Sequence, residues 1–211
     1  NHWAKVHLDL SEGQGASSEY MMSYARKNWD CSFVRCFIVD YWIRQEEPGM
    51  AVGLLKEILA AAEANRSSLY SIRMKLKDLY QTMGDAEQYQ EQLRVLVTQS
   101  RPGDPALFQE LKAAMATAEW ISAREEILGA LTGKAELAPL LRIEGLWDRL
   151  LTVVLESEDL EMVKRYEKEL IPRYPEEILK IYETELQKLA DMARNRSRYD
   201  ELIRYLKRVG Q

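Results

Sequence analysis

The stretch YPEEILKIYETELQKLADMARNRSRYDELIRYLKRV, residues 174–209, reads as two amphipathic helices meeting at a polar corner. Pro175 suits the first turn of a helix, where its missing N–H would be unpaired in any case. Glu176 and Glu177 follow it at the positive end of the helix dipole. Ile178, Tyr182, Leu186, Leu189 and Ala193 then recur every three or four residues and so share one helical face. Asn195-Arg196-Ser197 interrupts the run, with Ser197 or Asn195 as the next N-cap. Tyr199, Leu202, Ile203, Leu206 and Val209 rebuild a stripe of the same period, and Gly210 ends it. Neither stripe can be buried alone. The two helices therefore pack on each other and on a neighbour, and much of the chain reads as looser versions of this hairpin.

Composition agrees with an all-α chain. There are 211 residues, 46% of them apolar, which is ample for a core in one large domain or a repeat array. Six prolines, ten glycines and almost no period-2 alternation leave little room for strands. A formal net charge of −5 argues against a generally basic nucleic-acid binder, though a local patch remains compatible with it. Two cysteines make no disulfide scaffold, so a reducing cytosol is expected. The chain opens on NHWAK without a methionine or a signal-peptide pattern, as expected of a piece of a longer protein or a tag remnant. The longest apolar run, CSFVRCFIVDYWI from Cys31 to Ile43, is too short to span a bilayer and carries Arg35 and Asp40. It reads as a helix apolar nearly all round, hence deeply buried or part of an interface.

Residues 1–18 end in a Gly/Ser-rich joint and are expected to be flexible. Residues 19–211 then form a single helical repeat domain, and any subdivision falls near 101–105, at Arg101-Pro102-Gly103-Asp104-Pro105. Helices are expected from Ser17 or Ser18, through the apolar run, and after a turn at Pro48-Gly49 with Val52, Leu55, Leu59 and Ala62. Another follows a Ser67 or Ser68 cap and carries Leu69, Ile72, Leu76, Leu79, Tyr80 and Met83. Beyond the 101–105 linker come helices bearing Leu107 and Leu111, Trp120 and Ile127, a short one over 135–144, one from Leu146 to Leu155, and one with Leu160, Val163 and Leu170. The LYxxMGDxxxY pattern at 79–89 resembles the inter-helix corner of tetratricopeptide repeats. Leu76, Leu111, Leu150 and Leu189 are spaced by 35, 39 and 39 residues, lengths that suit a two-helix repeat. The expected fold is a degenerate array of antiparallel helical hairpins, a right-handed α-solenoid like those of tetratricopeptide repeats, with a concave groove.

From Asp104 onward the order DPALFQELK, EWISAREEIL, IEGLWDRLL, YPEEILKIY and NRSRYDELIRYLKRV resembles the helical region downstream of the finger in bacterial SWIM zinc-finger proteins. That resemblance covers about half the chain, and residues 19–99 look like the same region's upstream helices. The finger itself, CxC followed by CxH, is absent, and Cys31 and Cys36 are the only cysteines. The resemblance implies an accessory helical module of a protein that touches nucleic acid elsewhere, and it carries over no catalytic residues.

The residues themselves support no catalytic or metal centre. A structural zinc site needs four converging ligands. His2 and His7 lie near the N-terminus, while Cys31 and Cys36 stand about 140° apart around a helix, as expected of buried structural cysteines. No P-loop, GxGxxG or HExxH occurs. No cofactor is expected, and pairs such as Glu125-Glu126 and Glu176-Glu177 read as solvated faces or dipole matches. Two sets of residues could bind something. Arg194, Arg196, Arg198, Arg204, Lys207 and Arg208 oppose only Asp200 and Glu201, a local balance of +4, and with Tyr199 and Tyr205 they could contact phosphates and stack on bases. The simpler reading is the ordinary preference of cations for helix C-termini. Trp42, Trp120 and Trp147 could line a concave groove as partner anchors, against the plainer reading of inter-hairpin packing. The expectation is a non-catalytic, cytoplasmic interaction module that binds a protein segment or docks on the rest of its parent chain, with no membrane partner. The alternative is a nucleic-acid-binding accessory acting through the C-terminal patch.

Overall fold

The structure, a computed structural model, describes residues 2–62, 69–157 and 159–192. Among these are twelve α-helices, one five-residue π-helical turn and no strand. The chain divides into two compact units, one of residues 1–102 and 109–120, the other of 103–108 and 121–211.

The first unit opens with α1 (His2–Gly13), α2 (Ser18–Lys27) and α3 (Ser32–Arg44). The N-terminal segment expected to be flexible is thus largely helical. Ala4, Leu8 and Ser11 share a face and are buried, Leu8 completely, and that anchoring orders the segment. Ser17 caps α2, its hydroxyl accepting from the Tyr20 N–H at 3.2 Å. In α3 the side chains of Val34, Phe37, Ile38, Val39 and Tyr41 are buried, but Phe33 and Ile43 are exposed, so the helix keeps an outer arc. Pro48, expected in a turn, is instead the first residue of α4 (Pro48–Ala62), where a proline costs no hydrogen bond.

Next come α5 (Leu69–Met83), α6 (Ala86–Val95) and the π turn Leu96–Ser100. Gly84, at φ +73°, closes α5, and Asp85 caps α6 by accepting from the Gln88 N–H at 3.1 Å. Helices adjacent in sequence pack on each other throughout this stretch, and α1 also packs on α3. Ion pairs join helices two places apart: Arg44 of α3 to Glu12 of α1 at 2.7 Å, Arg26 of α2 to Glu57 of α4, and Lys75 of α5 to Asp40 of α3. Such exposed pairs contribute little energy, yet they mark which helices lie side by side.

A more deeply placed network ties α5 and α6 to α7 (Pro105–Ala114). The Lys77 ammonium, its side chain only 8% exposed, donates to Glu110 at 2.7 Å and meets Asp78 at 3.0 Å. The Tyr89 hydroxyl donates to the same Glu110 oxygen at 2.7 Å. Burial opposes the charge on both Lys77 and Glu110, but their mutual hydrogen bonds outweigh it, holding Lys77 above and Glu110 below its ordinary pKa. Burial, and then the bond to Glu110, push the Tyr89 phenol from 10 up to about 12.

In the second unit are α9 (Lys134–Glu144), α10 (Trp147–Ser157), α11 (Leu160–Leu170) and α12 (Pro175–Met192), with most of α8 (Thr117–Ala130) preceding them. Here α9 packs on α10, α10 on α11 and α11 on α12. Arg149 of α10 pairs with Glu125 of α8 at 2.7 Å, and Arg142 of α9 with Glu169 of α11 at 2.8 Å. Gly145, at φ +67°, ends α9 in a left-handed cap. Gly103 is required twice over: its φ is +71°, and an added methyl would overlap the Glu136 backbone, lying 2.7 Å from its Cα. The second helix of the 174–209 hairpin, with its Asn195–Ser197 corner, lies outside the described residues, as does the Ser67 or Ser68 cap.

Gly103→Ala is therefore expected to destabilise the fold by more than about 1 kcal/mol in urea titrations, whereas Gly84→Ala, with φ +73° but nothing within 4 Å, should lose less. The network also sets a pH response. Glu110 stabilises fully above the ordinary carboxylate range and less as pH falls through its lowered value, while Tyr89 stabilises fully below pH 10 and loses that contribution as pH climbs to about 12. Urea midpoints measured across pH 10–12 should fall less steeply in Tyr89→Phe than in the parent chain.

Candidate functional site

A cleft of about 480 Å³ opens where α10, α11 and α12 meet. Its apolar lining is aliphatic: Val154 and Leu155 come from α10, Leu160 and Val163 from α11, and Ile181 from α12. Val154 and Val163 are buried, whereas Leu155 is 42% exposed and open to the cleft mouth. Glu177, Lys180, Thr184 and Lys188 put a polar edge on the α12 side. The spacing explains why these residues and Ile181 line the cleft together, since 177, 180, 181, 184 and 188 lie three or four residues apart along one face of the helix. That face lies next to the one that buries Ile178 and Tyr182.

The walls are held by polar contacts as well as by packing. Asp159 at the cleft's corner accepts from the Glu161 N–H at 2.9 Å and so caps α11. On α12 the Tyr182 hydroxyl donates to Glu167 of α11, a carboxylate in a residue only 8% exposed. Before α12, the Arg173 guanidinium lies 4.4 Å from the centre of the Trp147 ring, and Tyr174 donates its hydroxyl proton to Asp148. Both contacts fasten the start of α12 to the start of α10. The cleft thus has firm walls, an aliphatic floor and charge along one edge.

The tryptophans singled out from the sequence have separate surroundings. Trp42 is half-buried, edge-on to Tyr41 with ring centres 5.3 Å apart, and its indole N–H is buried with no hydrogen-bond partner among the described residues. Trp120 is a core residue, 5% exposed, with the Lys112 ammonium 5.8 Å above its ring. Trp147 is half-buried beneath Arg173. The most exposed indole is Trp3 on α1, at 80%. Arg194, Arg196, Arg198, Arg204, Lys207 and Arg208 all lie outside the described residues.

The cysteines correct the expectation of two buried thiols. Cys31 is buried just before α3, but Cys36 is exposed, because Ser32, Phe33 and Cys36 fall on the outer arc of that helix. No group of three or more His, Cys, Asp or Glu side chains converges among the described residues. None of the described helices is long and apolar enough to cross a membrane. Comparison with protein-family models, curated proteins and solved structures finds no match.

The sequence reading missed the cleft. Val154, Leu155 and Ile181 look like ordinary core positions, and nothing in their spacing says that three helices leave a gap between them. Replacing Tyr182 by Phe strips a donor from the buried Glu167 carboxylate, and a loss of about 1–2 kcal/mol in urea unfolding is expected.

Proposed function

We propose that this chain is a non-catalytic helical-repeat interaction module that binds a protein segment in the cleft of α10, α11 and α12. The observation that carries the reading is that cleft: aliphatic in its floor, about 480 Å³ in volume, and edged by Glu177, Lys180 and Lys188. Its chemistry suits an amphipathic helix whose branched apolar side chains enter between Val163 and Ile181 and whose acidic edge meets the lysines. Helix packing within each unit supports the repeat part of the reading. Every helix from α1 to α6, and again from α9 to α12, touches its sequence neighbour, and ion pairs reach helices two places away. A stack of antiparallel hairpins, as in tetratricopeptide repeats, makes contacts of that kind. The resemblance of residues 104–211 to the region downstream of a SWIM zinc finger is consistent with an accessory module in a larger cytoplasmic protein, whose own segments are then candidate occupants.

The second reading, a nucleic-acid-binding accessory, is favoured by the +4 balance of the 194–208 run. One pair of experiments separates the two. Ile181→Asp places a charge in the cleft at an incompletely buried position, so helical circular dichroism should be kept. A protein retained from lysate by the parent chain, and identified by mass spectrometry, is expected to be lost with Ile181→Asp. Fluorescence anisotropy against labelled single- and double-stranded DNA is expected to stay flat at physiological salt. Retention of the same partner by Ile181→Asp would refute the cleft reading, and DNA binding abolished by Arg196→Ala with Arg198→Ala would favour the second reading instead.

A further inference from the structure

We propose that a polar pocket beside the π turn of the first unit binds the phosphate group of a small phosphate ester. The pocket has a volume of about 440 Å³ and is formed by Leu69, Tyr70 and Arg73 of α5 on one side and Gln99 and Ser100 of the π turn on the other. Arg101 follows directly, its guanidinium 4.7 Å from the centre of the Tyr70 ring. The proposal is separate from the cleft of the second unit and stands or falls without it.

Charge is the first argument. In a chain of net charge −5, arginines that reach across helices mostly end on carboxylates, as Arg26 does on Glu57, Arg44 on Glu12, Arg142 on Glu169 and Arg149 on Glu125. Arg73 and Arg101 do not. Arg73 donates through Nη1 to the neutral amide oxygen of Gln92 at 3.2 Å, and Arg101 stacks on a tyrosine. Neither forms an ion pair with a carboxylate among the described residues. Each guanidinium has five N–H donors in a planar fork that fits phosphate oxygens two at a time.

Preorganisation is the second. Gln92 is 7% exposed, so the group that orients Arg73 is itself fixed in the α6 packing. Tyr70 holds Arg101 from the other side. The π turn is a rare device that recurs at functional sites, and here it places Gln99 and Ser100 at the pocket. Its wide turn closes with the Arg101 N–H donating to the Leu96 carbonyl at 2.8 Å, while the Thr98 hydroxyl donates to the Arg94 carbonyl at 2.7 Å. The negative end of the α6 dipole works against an anion over its last turn, and the Arg73 guanidinium in the lining, with that of Arg101 beside the pocket, opposes it. The Tyr70 and Ser100 hydroxyls and the Gln99 amide add neutral donors. A concavity of this size admits a mononucleotide-sized molecule.

The test uses the whole chain at low ionic strength, with ADP and then inorganic phosphate titrated by calorimetry. Saturable binding is expected, weakened at least about tenfold by Arg101→Gln and by Ser100→Glu. Arg101 is exposed beside the pocket and Ser100 is a half-buried part of its lining, so the circular dichroism of both variants should match the parent chain. Lys164→Gln, which removes one positive charge in the second unit, is expected to leave the affinity unchanged. Failure of both probes to bind at up to about 10 mM would overturn the assignment. So would binding that survives Arg101→Gln and Ser100→Glu, or that Lys164→Gln weakens as much as they do.

Discussion

A helix that is apolar on more than one side has to be covered by more than one neighbour, and α3 imposes that condition on the first unit. Val34, Phe37, Ile38 and Tyr41 occupy one broad face, while Val39 points well away from them. Each such side chain left in water would cost about 1.5–3 kcal/mol. The helix therefore takes α1 and α2 as well as α4 as packing partners, and α4 in turn takes α5. Buried side chains repeat this demand along the chain: α5 hides Ile72, Leu76, Leu79 and Tyr80, and α11 hides Met162, Val163, Tyr166 and Leu170. Packing of neighbouring helices from α1 to α6 and from α9 to α12 follows from these residues and not from helix propensity, which would leave segments of 10–15 residues marginal in isolation.

Polar contacts select among the ways such helices could pack. The pairs Arg44–Glu12 and Arg142–Glu169 add little stability, but each places a helix beside the one two positions along. The Lys77–Glu110–Tyr89 network is different in kind. The Lys77 ammonium and the Tyr89 phenol both donate to one partly buried Glu110 oxygen, so removing Glu110 would strip a partner from each of them at once. Glu167 with Tyr182 repeats the device between α11 and α12, on the wall of the cleft. In both places a charged group fixes registry where aliphatic packing alone would tolerate slippage.

The aromatic residues show why candidate binding residues are hard to choose from sequence. Tryptophan is a good anchor for a partner and an equally good filler between helices, and the side chains that decide its role come from elsewhere in the chain. Lys112 lies over Trp120, Arg173 over Trp147 and Arg101 over Tyr70. In each case the cation that covers the ring comes from outside the helix that carries the ring, so the sequence around the aromatic does not show whether it is capped. The open cleft, by contrast, is lined by residues that a hydrophobic pattern assigns to the core.

What the residues alone determined is local. Helical periodicity placed α5, α9 and α11 within a few residues, because apolar side chains every three or four positions allow no other regular structure. One start was legible, since Ser17, offered with Ser18 as the beginning of α2, accepts from an N–H three residues ahead, whereas the capping by Asp85 and the left-handed ends at Gly84 and Gly145 came from the structure. Pro48 was misplaced in a turn, since a proline that starts a helix and one that stops it look alike without the next turn's contacts. The tertiary structure decided what depends on residues far apart in the chain. It ordered α1 through Leu8, exposed Cys36 by turning one arc of α3 outward, and widened the end of α6 into a π turn. It also left a gap between α10, α11 and α12. Each of these depends on which neighbour covers which face, and a periodicity of 3.6 residues says that a face must be covered without saying by what.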